Sequence, residues 1–154
     1  MDIVTPDTGE IDKIVDLWAE LAESQRQYDA HILSEENRTG VRETLVHQLV
    51  AGQVIVARDG PNPADIHGFA SFRIESGSFE RAVSRGIIDN LYVVPKRRSE
   101  GIGSALLEAA ESRLANHDVD RIALEVLAAN EAGRRFYQRY GYEPHRLEVE
   151  KPVE

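Results

Sequence analysis

The chain has no cysteine among its 154 residues. That excludes disulfides, thiolate nucleophiles and cysteine-based zinc sites. Lysine is almost absent as well. Only Lys13, Lys96 and Lys151 occur, and arginine supplies the rest of the 18 basic residues. Against them stand 27 acidic residues, for a net charge of −9 at pH 7. A general nucleic-acid binder needs basic surface, so that class is excluded. Surplus acid with scarce lysine fits a host with salty cytoplasm, or equally an acidic cytosolic protein from a GC-rich genome. No apolar run approaches the roughly 20 residues of a membrane span. The opening MDIVTPDTGE has neither a basic n-region nor an apolar h-region, so a cytoplasmic location is expected. The histidines, at 31, 47, 67, 117 and 145, lack ligand-like spacing, and no metal is expected.

What is present reads as one α/β domain spanning 1–154. Hydrophobic residues make up 42% and charged residues 29% of the chain, the mix of a globular protein with a core. A short strand is expected at 3–5. Asp7 and Glu10 have the spacing of a capping box. Ile11, Ile14, Val15, Trp18, Leu21 and Ala22 then recur at helical spacing, giving a helix over about 8–27. Val41, Leu45, Leu49 and Val50 form a second helical stripe, ended by Gly52. QVIVARD (53–59) and HGFASFRI (67–74) read as two arms of a hairpin around a turn-rich 59–65. GIIDNLYVV (86–94) is strongly β-forming and stops at Pro95. A helix follows Gly101, then a strand at 121–127, a helix at 130–140 ended by Gly141, and a strand-like 142–150. The order is β-α-α-β-β-β-α-β-α-β, antiparallel first and β-α-β in the second half.

Residues Lys96 to Gly103, KRRSEGIG, join a strand to a helix. Glycines without Cβ let backbone N–H groups approach a ligand closely. A helix start adds unpaired donors and partial positive charge. Together they suggest a phosphate or pyrophosphate cradle, although a plain strand-to-helix turn with solvated charges reads the same. A P-loop is excluded because Ser-Ala-Leu follows Gly103. A dinucleotide fingerprint is excluded because Leu106 stands where it needs glycine or alanine.

Twenty-one residues after Gly103 begins LEVLAANEAGRRFYQRYGY. This pair of motifs resembles the GNAT superfamily of acetyl-CoA-dependent N-acetyltransferases. The family's Arg/Gln-x-x-Gly-x-Gly/Ala is matched by Arg98, Gly101 and Gly103. Its following Asn and Phe-Tyr-x-x-x-Gly-Phe are matched by Asn130, Phe136, Tyr137 and Gly141, with Tyr142 in place of the last Phe. The match covers about 86–142. The resemblance implies a GNAT fold, a mixed and mostly antiparallel sheet splayed between its fourth and fifth strands and flanked by about four helices. It implies acetyl-CoA as co-substrate and an amine acceptor, with no metal, nucleic acid or membrane, in a monomer or homodimer. By the same resemblance, backbone groups of Leu91, Tyr92 and Val93 would pair with the pantetheine arm. Amides of Arg98, Ser99, Glu100, Gly101, Ile102, Gly103 and Ser104 would hold the pyrophosphate. Asn130 would bond the pantetheine or orient the strand–helix junction. Arg97, Arg134 and Arg135 would meet the 3′-phosphate or solvent.

Acetyl transfer from a thioester to an amine needs a neutral amine, a polarised carbonyl and a protonated leaving thiolate. In GNAT enzymes the tyrosine of the second motif sits beside the sulfur, which makes Tyr137 the candidate acid. Glu125 is the candidate base, with Asp89 as its rival. Its Leu-Glu-Val, twelve residues before Tyr137, resembles the ribosomal-protein N-terminal alanine acetyltransferases, a GNAT branch. A lysine amine (pKa about 10.4) is neutral about once per thousand molecules at pH 7.4, and a peptide α-amine (about 7.8) about a quarter of the time. A modest base therefore suits an α-amine better. The alternative function is a non-catalytic acyl-CoA-binding module of the same fold. For the acceptor pocket the family layout points to Tyr28, His31, Phe79 and Glu80.

Overall fold

The computed structural model describes residues 1–153. Its strands are β1 (Asp2–Val4), β2 (Val54–Arg58), β3 (Ile66–Ile74), β4 (Arg85–Val93) and β5 (Arg121–Leu124). Its helices are α1 (Ile11–Gln25), α2 (Arg38–Val50), α3 (Ile102–Ala115) and α4 (Glu131–Arg139). The strands form one sheet in the order β1-β2-β3-β4-β5. Neighbours from β1 to β4 are antiparallel, and β4 and β5 are parallel. Short turns suffice for the antiparallel pairs, whereas the parallel pair needs a crossover, which α3 supplies.

Strand alternation sorts the core into two layers. Val54, Val56, Phe69 and Tyr92 pack under α1 and α2 with Ile14, Leu17, Trp18 and Leu45. Ile55, Ala57, Ala70, Phe72 and Ile88 face the other way, under Leu106, Leu107, Ala110 and Leu114 of α3. α1 is shorter than the 8–27 expected, because a single 3-10 turn precedes it at Thr8–Glu10 and another follows at Arg26–Tyr28. A second departure is larger: 142–150 forms no strand, since no neighbouring strand pairs with it among the described residues.

The capping box at Asp7 does more than start a helix. The Asp7 N–H donates to Glu10 Oε1 at 3.0 Å, and Arg58 at the end of β2 donates to both Glu10 oxygens at 2.8 Å. Glu10 is buried, so this pair ties α1 to the sheet. The Arg58 hydrogen bonds hold the Glu10 carboxyl below its ordinary pKa. A carboxyl lowered on folding stabilises the protein fully above its unfolded pKa, about 4.3, and loses that contribution as pH falls through the lower folded value. Acid melting curves should therefore show an extra loss of Tm below about pH 4 that Glu10→Gln removes.

One irregularity positions the site. In the β3–β4 ladder Ser71 pairs with Asn90, but Phe72 pairs with Ile88, so Asp89 is an extra residue in β4. Such a bulge breaks the period of two. Ile88 lies on the α3 side, while Asn90 bonds Ser71 (Nδ2 to Oγ, 2.8 Å) and Tyr92 lies under α1 and α2.

Candidate active site

The β4–β5 pairing runs from Arg85↔Arg121 to Ile88↔Leu124 and then ends. β4 continues for five residues more, paired only with β3. The end of the pairing and the bulge fall on the same rung. Past it the two chains part, and one edge of Asn90–Val93 is left without a strand partner. Unpaired N–H and C=O groups along such an edge are an open template for an extended ligand.

A cleft of about 550 Å³ opens there. Leu91, Tyr92 and Val93 form one wall, and Glu125, Val126 and Leu127 the other. Its floor is the turn into α3, where Arg98, Ser99, Gly101, Ile102, Gly103 and Ser104 all line it. Gly101 caps α3 in the left-handed region, φ 84°, and Ser99 is also left-handed, φ 66°. The first N–H groups of a helix have no intrahelical partner. Among the described residues none of the amides from Ser99 to Ser104 bonds another element. An anionic group fits this cradle by charge and by hydrogen bonding. A Cβ at Gly103 would make only ordinary contacts, 3.8 Å from Phe136 and Val93, so packing alone does not demand glycine there.

The basic run contributes less free charge than the sequence suggests. Arg97 is paired with Asp59 at 2.9 Å and with Glu100 at 3.1 Å. Arg98 reaches back along β4, donating from Nε to the Val93 carbonyl at 3.0 Å and lying 5.6 Å from the Tyr92 ring centre. Glu100 departs from expectation, since it does not line the cleft and its carboxylate turns to Arg97. Arg134 donates to the Ala128 carbonyl, and Arg135 lies 4.0 Å from Glu131. Neither lines the cleft, whereas Arg139, one turn beyond them, does.

Asn130 lines the cleft and caps α4, its Oδ1 accepting from the Gly133 N–H at 3.0 Å. Gly133 makes this possible: a Cβ there would lie 2.5 Å from Asn130 Nδ2. α4 presents Phe136, Tyr137 and Tyr140 to the α3 layer. Tyr137 stands edge-on to Phe136 (5.2 Å, 75°) and to Tyr142 (5.9 Å, 74°). Its hydroxyl has no hydrogen-bond partner among the described residues, and burial pushes its pKa up to about 12. Tyr142 is raised further, by burial and then by its bond to Glu111 Oε2 at 2.7 Å.

Beside Tyr137 the cleft narrows to a small recess lined by Leu21, Gln25, Asp89, Leu124 and Glu125. Its two carboxylates differ. Asp89 accepts from Arg73 Nε at 3.1 and 3.2 Å and from Gln48 Nε2 at 3.1 Å. Glu125 is exposed, and no ion pair holds it among the described residues. Gln48 is a residue the sequence reading passed over. It is buried in the α2 stripe of Leu45 and Leu49, and a polar side chain in such a stripe was the available signal. Of the four acceptor-pocket candidates only Tyr28 lines the cleft. Phe79 is 80% exposed, and His31 bonds Glu150 at 2.9 Å instead. His31, Asp29 and Glu150 form an exposed cluster with metal-ligand spacing.

Residues 13–142 match the family model for the acetyltransferase (GNAT) family. The chain belongs to the GNAT acetyltransferase family. Members of the GNAT family are acetyltransferases that use acetyl-CoA as co-substrate. The chain is 24% identical over 136 residues to a thialysine N-epsilon-acetyltransferase of Bos taurus, covering 86% of this chain and 78% of that one. It is 37% identical over 62 residues to a mycothiol acetyltransferase of Acidimicrobium ferrooxidans. That match takes in 38% of this chain and only 20% of the relative. The fold is close to that of the BH1408 protein from Bacillus halodurans, seen as a tetramutant (TM-score 0.83, 22% identity, 99% and 100% of the two chains). It also resembles a GCN5-related N-acetyltransferase from Ralstonia eutropha (TM-score 0.68, 24% identity, 93% and 94%). No helix among the described residues is long and apolar enough to cross a membrane.

Proposed function

We propose that this GNAT enzyme transfers acetyl from acetyl-CoA to a primary amine by direct attack in a ternary complex. Tyr137 is the acid and Glu125 the base. The observation that carries the reading is the half-buried Tyr137 phenol, unbonded and raised to about 12, at the point where β4 and β5 part. Such a phenol is protonated at any working pH and free to donate. A thiolate released beside the half-buried ring is raised by the same desolvation, so donor and acceptor stay matched. In this reading the α3 turn from Arg98 to Ser104 holds the pyrophosphate, and the open edge of Leu91–Val93 pairs with the pantetheine. Asn130 fixes the start of α4 and with it the tyrosine.

Asp89 and Glu125 divide the work of receiving the amine. The bonds from Arg73 and Gln48 occupy the Asp89 carboxylate and fix it at the side of the recess, whereas Glu125 is left open to the amine. Glu125 is unencumbered and takes the proton, directly or through water. The low cost of neutralising an α-amine favours a peptide N-terminus, in line with the resemblance of Leu124-Glu125-Val126 to the ribosomal-protein alanine acetyltransferases. The name of the bovine relative points instead to an ε-amine.

Coenzyme A release measured on peptide N-termini, lysine peptides, polyamines and aminoglycosides, at low and high KCl, tests both levels. Turnover with any of them supports the transferase mechanism, and the best acceptor fixes the class. Tight acetyl-CoA binding without turnover on any amine would leave only an acyl-CoA-binding module. Glu125→Gln should shift the alkaline-rising limb of the kcat/KM–pH profile. An unmoved limb transfers the role of base to Asp89 or bulk water.

A further inference from the structure

Among the described residues, one cationic side chain bonds the lining of the recess beside Tyr137, and it is Arg73. Its Nε donates to both Asp89 oxygens, at 3.1 and 3.2 Å. Gln48, buried in α2, donates to the same carboxylate at 3.1 Å and anchors it from behind. The guanidinium is thus fixed through Nε alone. Its outer edge, Nη1 and Nη2, has no hydrogen-bond partner among the described residues, and the side chain is 46% exposed. Glu75, the neighbouring acid on β3, does not fill that edge. Its carboxylate is held by Arg85 at 2.6 Å and by Arg81 at 3.1 Å. Between Arg73 and the point of transfer lies a short apolar floor. Arg73 pairs with Ile87 across β3 and β4, and Ile87 with Ala123 on β5. Phe72, Ile88, Ile122 and Leu124 pack in the α3 layer, so alternation puts Arg73, Ile87 and Ala123 on the opposite face. Ile87 and Ala123 come two residues before Asp89 and Glu125, are only half-buried, and belong to neither core layer.

We propose that Arg73 is the specificity-determining residue for the acceptor: its free edge binds a carboxylate of the amine substrate, while the amine lies between Glu125 and Tyr137. This rests on the transferase mechanism proposed above. Nη1 and Nη2 present parallel donors, which a carboxylate accepts two at a time. Asp89 is then a positioning residue. By taking Nε it aims the rest of the fork outward, which gives the bulged carboxylate a task that Glu125 does not share. Glu125 and Arg73 stand two strands and two residues apart, about 12 Å between backbones. A zwitterionic acceptor with a short chain between its charges meets an acid at its amine and an arginine at its carboxylate. The α-carboxylate of a free diamino acid and an acidic side chain beside a peptide N-terminus share this chemistry.

Two matched pairs of acceptors test the inference on the full chain with acetyl-CoA. One is Nα-acetyl-lysine against its amide. The other is alanyl-glutamate against alanyl-glutamine, both with amidated C-termini. Within a pair only the carboxylate differs. The kcat/KM of the acid should exceed that of the amide by about tenfold or more in at least one pair, and the larger ratio names the source. Arg73→Gln should bring that ratio to about one. Because each ratio is taken within one preparation, a partly unfolded variant does not imitate this result. Ratios near one in both pairs overturn the inference and leave the transferase mechanism standing. A ratio that Arg73→Gln leaves intact does the same. Absence of turnover on all four acceptors and on the wider amine panel overturns both.

Discussion

Replacing Tyr137 with phenylalanine should lower kcat by about 10- to 1000-fold and leave the KM for acetyl-CoA nearly unchanged. The change removes one oxygen and little else. Phenylalanine keeps the edge-on contacts with Phe136 and Tyr142, and no protein hydrogen bond is lost with the hydroxyl. Stability should therefore hold, because the ring packing is kept and the hydroxyl opens onto the cleft. What disappears is a proton donor for the thiolate. Because burial raises the phenol to about 12, its ionisation contributes no falling limb to the rate profile below about pH 11, although a solvated tyrosine near 10 would. A kcat equal to that of the unsubstituted enzyme would remove Tyr137 from the chemistry, and proton delivery would then fall to water.

Gly101→Val should raise the KM for acetyl-CoA by about 10- to 100-fold, with kcat at saturation less affected. A Cβ at this position meets no protein atom within 4 Å, so the loss is not a clash within the fold. It comes from the backbone. At φ 84° an L-residue pays about 1–2 kcal/mol, and a β-branched one more. Valine therefore pulls the turn out of its left-handed cap and re-aims the amides that begin α3. Gly101→Asn is the companion variant, because asparagine tolerates this conformation far better. It should keep most of the affinity. If valine leaves the KM normal, the pyrophosphate does not sit on residues 98–104.

Much of this arrangement was legible in the sequence, for reasons that can be stated. The helical stripes of α1 and α3 bury one face each and β4 is a continuous β-forming run, so hydrophobic pattern alone places them. The glycine turn and the Phe-Tyr helix carry their own local chemistry. Tyr137, Glu125, Leu91–Val93, Asn130 and all of the α3 turn except Glu100 line one cleft. The features that escaped depend on distant partners. Arg97 looked free because Asp59, the acid that holds it, is 38 residues away in sequence. The bulge at Asp89 escaped because GIIDNLYVV gives no local sign that one residue is extra. Gln48 escaped because its meaning lies in Asp89, on another element. Residues 142–150 do have the pattern of a strand, but a strand is a relation between two segments, and no described strand pairs with this one.

The single extra residue in β4 serves the recess and not the packing. Ile88 already faces α3 while Tyr92 faces α1 and α2, so deleting Asp89 would give a regular ladder with both core layers unchanged. What would go is the carboxylate that Gln48 and Arg73 hold beside Tyr137. The fold could lose this one position, and its retention is a matter of what the cleft must hold.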